Sequence, residues 1–408
     1  MSLNLVIFDY KTLLSLQPGT DRARAAREML NWTKGQGLQW CLFSTNPLTG
    51  RQQLHLEQLG YPPADLLVNQ NDIISGKRRG SPDWITAVTT ATTLEYHNLL
   101  YVGSTAMDWR TAINSGVMYL HADWVGAAPS GTTSLVAESP QSIPHFINTF
   151  LTGPSIWSHR LDSNSWALRS LLPASASLPC SSGTGRFSLQ DVFTYDKEIK
   201  IGEDDARDVL MLFALTSAYR EGLLPPNPYI CVYPSSKKGK VSAQLKDYLD
   251  KAAKLFHGYY RDDLLVRAVE APDTSLERWR AKSEGRQANV SIATQAQTVH
   301  LGAKYHERLT GRTVVVFDDF TTNGMSLEWA RLLLVAAGAG RIVMVTLGKY
   351  GNNHAHYEIK EGTPLQPYSL NTLTADSFDV TYIQPTVTSD AAAKLHALMT
   401  SKINSEQP

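Results

Sequence analysis

The chain has 408 residues, and its 38 Lys plus Arg balance 38 Asp plus Glu for a formal net charge of zero. At roughly 100–200 residues per domain this length predicts two domains or three, each large enough to bury a core without disulfides or metals. Hydrophobic residues at 43% and charged ones at 19% fit a folded globular protein, and the neutral total excludes a chain devoted to gripping a phosphate backbone.

The N-terminus, MSLNLVIFDYKTLL, has no basic region before its apolar run, and Asp9 breaks that run, so no signal peptide is expected. LNLVIFD reads as a strand ending in Asp9, followed by a helix from about Asp21 to Lys34. LQWCLFSTN is a second strand with a helix from Arg51 to Leu59 behind it, LLYVGST a third before the helix MDWRTAINSG, and GVMYLHA a fourth. Apolar strands alternating with helices predict a parallel sheet, with ligands at the strands' C-terminal ends. From Ala122 to about Arg186 the texture turns rich in Ser, Gly, Pro and Ala, with a short helical piece from Ser142 to Leu151, and this reads as a seam between domains.

A second α/β block runs from about Phe187 to the end. Glu203, Asp204 and Asp205 fit the acidic first turn of a helix. PYICVYP is a strand, Lys240 to Leu255 a helix and DLLVRAV a strand. TQAQTVHLGAKYHERLTG is predicted as one helix, RTVVVFDDF as a strand, SLEWARLLLVAAGAG as a helix and RIVMVTLG as a strand. The most apolar late stretch, Trp329 to Gly348, is interrupted by Arg331 and Arg341, too broken for a membrane span. His354 and His356 read as part of a polar loop. Cys41, Cys180 and Cys231 are far apart and odd in number, which excludes a disulfide framework and fits thiols kept reduced in a cytoplasm.

Thr313 to Ala330 is the most informative segment. Four apolar residues end in Asp318 and Asp319, and Thr321, Thr322, Asn323, Gly324, Met325 and Ser326 lead straight into a helix. Loop amides and a helix N-terminus make a cradle for an anion, and the carboxylates stand where they could hold sugar hydroxyls. This segment resembles the PRPP-binding signature of type I phosphoribosyltransferases, departing from it at Phe320 and Asn323.

That resemblance implies that Asp318 and Asp319 are the catalytic acids and that Thr321–Ser326 fixes the 5′-phosphate. Ser235, Ser236, Lys237, Lys238 and Gly239 would form the pyrophosphate loop, and Arg278, Arg280 and Arg286 a closing loop. Tyr350 would contact the base. The partners implied are PRPP and a small nitrogenous acceptor, with Mg²⁺ held mainly by PRPP and no protein metal ligand assigned. Neither a membrane nor a nucleic acid is expected as partner, and a homodimer is compatible with this reading.

The first block is similar to haloacid dehalogenase-like (HAD) phosphatases. LVIFDYKTLL resembles the first motif with Asp9 as nucleophile, LFSTN the second through Thr45, Lys77 the third, and GSTAMDWRTAINSG the fourth through Asp108. Two expected carboxylates are replaced: the proton donor two residues after Asp9 is Lys11, and the first acid of the fourth motif is Ser104. Lys11 could pair with Asp9 and take the place of a metal. These losses weigh against phosphatase turnover.

The fold class expected is therefore α/β with two Rossmann-like parallel-sheet domains. Residues 1–150 would be HAD-like and catalytically degenerate, 151–185 a linker, and 186–408 phosphoribosyltransferase-like. The principal function expected is a PRPP-dependent transferase that moves a phosphoribosyl group to a nitrogen nucleophile and releases pyrophosphate. The alternatives are a non-catalytic PRPP- or nucleotide-binding sensor and a HAD-type phosphatase with residual activity.

Overall fold

A computed structural model describes residues 3–153, 155–181, 185–272, 277, 283–285 and 291–405, with only the backbone described for 401–405. The chain divides into two compact units, the first formed by Met1–Ser155, Leu215–Asn227 and Lys251–Gly258, the second by Ile156–Ala214, Pro228–Asp250 and Tyr259–Pro408. Among the described residues, no helix is long and apolar enough to cross a membrane.

In the first unit six strands form one sheet: β1 (Leu5–Asp9), β2 (Gln39–Phe43), β3 (Leu66–Val68), β4 (Leu99–Gly103), β5 (Met118–Ala122) and β6 (Leu135–Ala137). Their spatial order is β3-β2-β1-β4-β5-β6, and every neighbouring pair is parallel. Each residue of β1, β4 and β5 is buried, which is why these segments read as unbroken apolar runs and not as alternating patterns. Asp9 lies opposite Phe43, and Phe8 opposite Val102, so β1 and β4 end side by side at one edge of the sheet. Phe43, Trp84, Tyr101 and Tyr119 pack the adjoining core.

The first unit is not one continuous stretch of chain, because later segments complete it. The Tyr219 hydroxyl donates to the carbonyls of Tyr96 and Leu99 at 2.7 and 2.8 Å and accepts from Met118 N at 3.2 Å. Its ring packs against Phe256, 5.9 Å between centroids. A stable unit therefore needs pieces that lie far along the chain.

The second unit contains β7 (His159–Asp162), β8 (Trp166–Pro173), β9 (Ser177–Pro179), β10 (Arg186–Ser188), β11 (Lys200–Ile201) and β12 (Asp204–Asp205). It continues with β13 (Tyr229–Val232), β14 (Tyr259–Tyr260), β15 (Leu265–Arg267), β16 (Val299–Leu301) and β17 (Thr313–Thr321). β18 (Arg341–Lys349), β19 (His354–Ile359), β20 (Phe378–Ile383) and β21 (Thr386–Val387) complete it. The main sheet runs β14-β13-β17-β18-β8-β7-β21, parallel from β14 to β8, with β7 and β21 antiparallel at one edge.

Several expected elements are corrected here. Residues 151–185 are not a linker, since β7 and β8 belong to the main sheet. Their small polar residues are used inside it: Ser170 Oγ and Thr346 Oγ1 lie 2.7 Å apart between neighbouring strands. The helix expected from Thr294 is a short one, Ile292–Ala296, followed by β16, because Val299–Leu301 pairs antiparallel with β15. Asp204 and Asp205 lie in β12, and the long helix begins afterwards at Ala206, with Arg207 N capped by Asp205 Oδ1 at 2.8 Å. His354 and His356 are in β19, not in a loop.

Candidate active site

At the C-terminal end of β1, Asp9 caps the short helix Tyr10–Leu14: its Oδ2 accepts from Lys11 N at 3.0 Å. The next strand end supplies Asp108 from the first turn of the helix Ala106–Asn114, capped by Thr105. Asp108 Oδ2 accepts from Ser104 N at 3.0 Å, Thr105 N at 2.9 Å and Thr105 Oγ1 at 2.8 Å. Gly103 makes room for this turn, since a Cβ there would stand 2.5 Å from Asp108 Cβ. Both carboxylates are buried, Asp9 1% exposed and Asp108 not at all.

Between them lies Arg79, whose side chain is 9% exposed. Its Nη1 donates to Asp9 Oδ1 at 2.5 Å, and its Nη2 donates to Asp108 Oδ1 and to the Tyr101 hydroxyl. The Tyr101 hydroxyl also donates to Asp108 Oδ1 at 3.2 Å. Burial pushes the Asp9 carboxyl above its ordinary value and Asp108 adds to that rise, while Arg79 opposes it. Burial works against the guanidinium's charge, but Tyr101, Asp108 and Asp9 outweigh it and hold Arg79 firmly protonated.

Arg79 is the residue that sequence reasoning missed. Lys77 was expected to serve the site, yet its side chain is 64% exposed and its Nζ lies 3.5 Å from Asp83 Oδ2. Lys11, the other cation expected beside Asp9, has an exposed side chain and lines a hollow of about 580 Å³ with Tyr10, Arg51 and His55. Thr45 follows the end of β2 and is exposed. The basic run Lys77-Arg78-Arg79 was the available signal, and Gly80 selects among its members. Gly80 N donates to Thr111 Oγ1 at 2.8 Å and its carbonyl accepts from Asn114 Nδ2 at 2.7 Å, which fixes the backbone next to Arg79.

A divalent metal does not fit between Asp9 and Asp108 as they stand. One oxygen of each carboxylate is bonded to the guanidinium, and the second oxygen of Asp108 is taken by Ser104 and Thr105. Among the described residues, no group of three or more His, Cys, Asp or Glu is disposed to hold a metal.

In the second unit, Asp318 and Asp319 lie near the C-terminal end of β17 and are half-buried. Burial and the neighbouring Asp319 raise the Asp318 carboxyl well above its ordinary value. Gly324, at φ 85°, turns the chain into the helix Met325–Ala336, and a Cβ there would stand 2.3 Å from the His354 ring. The loop rests on Lys349, 2% exposed, whose Nζ donates to the carbonyl of Thr322, to that of Tyr350 at 3.0 Å and to that of Asn353 at 2.9 Å. Burial draws the Lys349 ammonium down to about 8.

Ser235–Gly239 follows β13, the parallel neighbour of β17, so this loop and the acidic pair share one sheet edge. Lys237 and Lys238 are exposed, and buried Arg267 braces the loop from beneath, its Nε donating to the Ser235 carbonyl at 2.7 Å. Tyr350 follows the end of β18, its ring 5.7 Å from Phe320. Arg278, Arg280 and Arg286 lie outside the described residues.

Neither a family model nor a curated protein matches the chain. Solved structures that match include a HAD-superfamily hydrolase of subfamily IA from Geobacter sulfurreducens, at 13% identity and TM-score 0.27, over 35% of this chain and 98% of that one. A cobalt-bound deoxy-D-mannose-octulosonate 8-phosphate phosphatase from Haemophilus influenzae matches at 12% identity and TM-score 0.25, over 36% and 94%. CbbY from Rhodobacter sphaeroides, in complex with phosphate, matches at 12% identity and TM-score 0.26, over 35% and 96%. Each of these matches spans about a third of this chain. The principal expectation, a pyrophosphate-releasing transferase that has lost phosphatase chemistry, stands corrected to this extent: the matched structures are described as a hydrolase and a phosphatase.

Proposed function

We propose that the first unit is a phosphomonoester hydrolase of low turnover in which Asp9 is the nucleophile. The observation that carries this reading is the convergence of buried Asp9 and Asp108 on one cation at the C-terminal edge of a parallel sheet. In the first step an Asp9 oxygen bonds to phosphorus as the bond to the leaving oxygen breaks. Water then attacks the aspartyl phosphate, releasing inorganic phosphate and restoring the carboxylate. Positive charge at Arg79 offsets the charge on the phosphoryl oxygens. With Lys11 where a carboxylic acid would serve, turnover lacks general acid–base help worth about 10²–10⁴-fold.

The test is phosphate release from p-nitrophenyl phosphate, whose phenolate leaves without needing a proton. Release by the full chain that disappears in Asp9→Asn is expected. No release above the buffer blank, or equal release by Asp9→Asn, overturns the reading.

For the second unit we take the phosphoribosyltransferase-like likeness of the sequence as one of fold and ligand site. The ligand class proposed is a phosphorylated sugar such as PRPP, its phosphate on the Thr321–Ser326 loop and its hydroxyls on Asp318 and Asp319. The turn at Gly324 and the helix behind it support this. Calorimetric titration with PRPP is expected to show binding that Gly324→Ala loses, and the absence of binding to the unaltered chain refutes it.

A further inference from the structure

We infer that Arg79 is the resident cation of the Asp9–Asp108 site and stands in place of a divalent metal, so that Arg79 and a metal ion compete for the same two carboxylates. Two ionised carboxylates removed from water require a counter-charge, and a planar guanidinium can supply parallel donors to both. Arg79 does so with separate nitrogens, Nη1 to Asp9 and Nη2 to Asp108. The same Nη2 donates to Tyr101, so the guanidinium is gripped by three side chains.

Its placement is built into the surrounding structure. The guanidinium carbon lies 5.7 Å from the Trp84 ring centroid and 5.9 Å from that of Phe43. Trp84 Nε1 donates to the Lys77 carbonyl at 3.2 Å, while Thr111 and Asn114 hold Gly80 on the other side. The segment is thus pinned both before and after Arg79, and Lys77 is turned outward to Asp83. A divalent ion bound between Asp9 Oδ1 and Asp108 Oδ1 would meet the guanidinium at contact distance. Like charges so close cannot share a site, and metal enters only if Arg79 leaves.

This inference concerns the proposed hydrolytic site, but its test does not depend on turnover. MgCl₂ and MnCl₂ are titrated by calorimetry into the full chain, into Arg79→Met and into Arg79→Met/Asp108→Asn. The unaltered chain is expected to bind neither ion in the millimolar range. Arg79→Met gains affinity by about tenfold or more, and the double variant loses that gain. Equal binding by the unaltered chain and Arg79→Met, or no gain in a folded Arg79→Met, overturns the inference.

Should Arg79→Met fail to fold, Arg79→Lys keeps the charge without the fork. Continued exclusion of metal by that variant supports competition by charge, and metal binding to the unaltered chain alone refutes it. Phosphate release that EDTA leaves unchanged supports the inference, and release abolished by EDTA overturns it while leaving the hydrolase reading intact. Absence of release refutes the hydrolase, not the competition measured by calorimetry.

Discussion

Replacing Arg79 by Met tests the physical basis of the site most directly. Met fills much of the same volume and keeps contact with Phe43 and Trp84, so the principal loss is charge. Asp9 and Asp108 are then left 1% and 0% exposed without a counter-ion. Breaking a buried pair by removing one partner costs about 3–5 kcal/mol, and the lost cation–π contacts add about 0.5–2 kcal/mol. At roughly 2–4 °C per kcal/mol for a unit of this size, the first unit's Tm should fall by about 7–28 °C in scanning calorimetry of the full chain.

The sign of the pH dependence follows from Asp9, whose folded pKa already lies above its ordinary value. Without Arg79 it rises further, so above the unfolded pKa of about 3.9 the folded state binds more protons than the unfolded one. Stability of the variant therefore declines as pH rises through the raised folded pKa, and the deficit against the unaltered chain is larger at pH 8 than at pH 5. A deficit below about 1 kcal/mol, the size of an exposed ion pair, would refute the reasoning, as would a deficit that grows toward acid.

Three other perturbations have defined outcomes. Gly103→Ala puts a Cβ 2.5 Å from Asp108 Cβ and should cost about 1–3 kcal/mol in denaturant unfolding; an unchanged midpoint would show that the turn has slack. Burial disfavours the charged form of Glu328, but donors from His354, His356 and Arg331 hold its carboxyl well below the usual range. Glu328→Gln should thus lose about 3–5 kcal/mol at pH 7 and flatten the stability loss of the unaltered chain below about pH 4.3, where Glu328 begins to protonate in the unfolded state; equal acid limbs in the two proteins would count against this. Lys11→Asp restores a carboxylic acid two residues after Asp9 and should raise turnover of an alkyl phosphate by about tenfold or more, with equal rates arguing against a missing proton donor.

How much of this was legible in the sequence depended on whether the signal was local. LVIFD and Val314–Phe317 are buried on both faces in parallel sheets, and an unbroken apolar run ending in Asp records that directly. Asp9 could be placed at a strand end for the same reason, and Asp108 in the helix that follows the end of another strand. Tyr219 could not be assigned to the first unit, because its hydrogen bonds reach residues more than a hundred positions away. The helix expected from Thr294 failed through tertiary pairing, with β16 drawn into register against β15.

The choice among Lys77, Arg78 and Arg79 shows the limit most sharply. All three are long cations in one loop, and composition or spacing favours none of them. The decision lies in Thr111 and Asn114, one helical turn apart on the helix that also carries Asp108. One helix therefore supplies both a carboxylate of the site and the anchors that aim the cation at it. A substitution that shifts this helix should move the acid and its counter-charge together, so the pair is a single structural unit and not two independently placed residues.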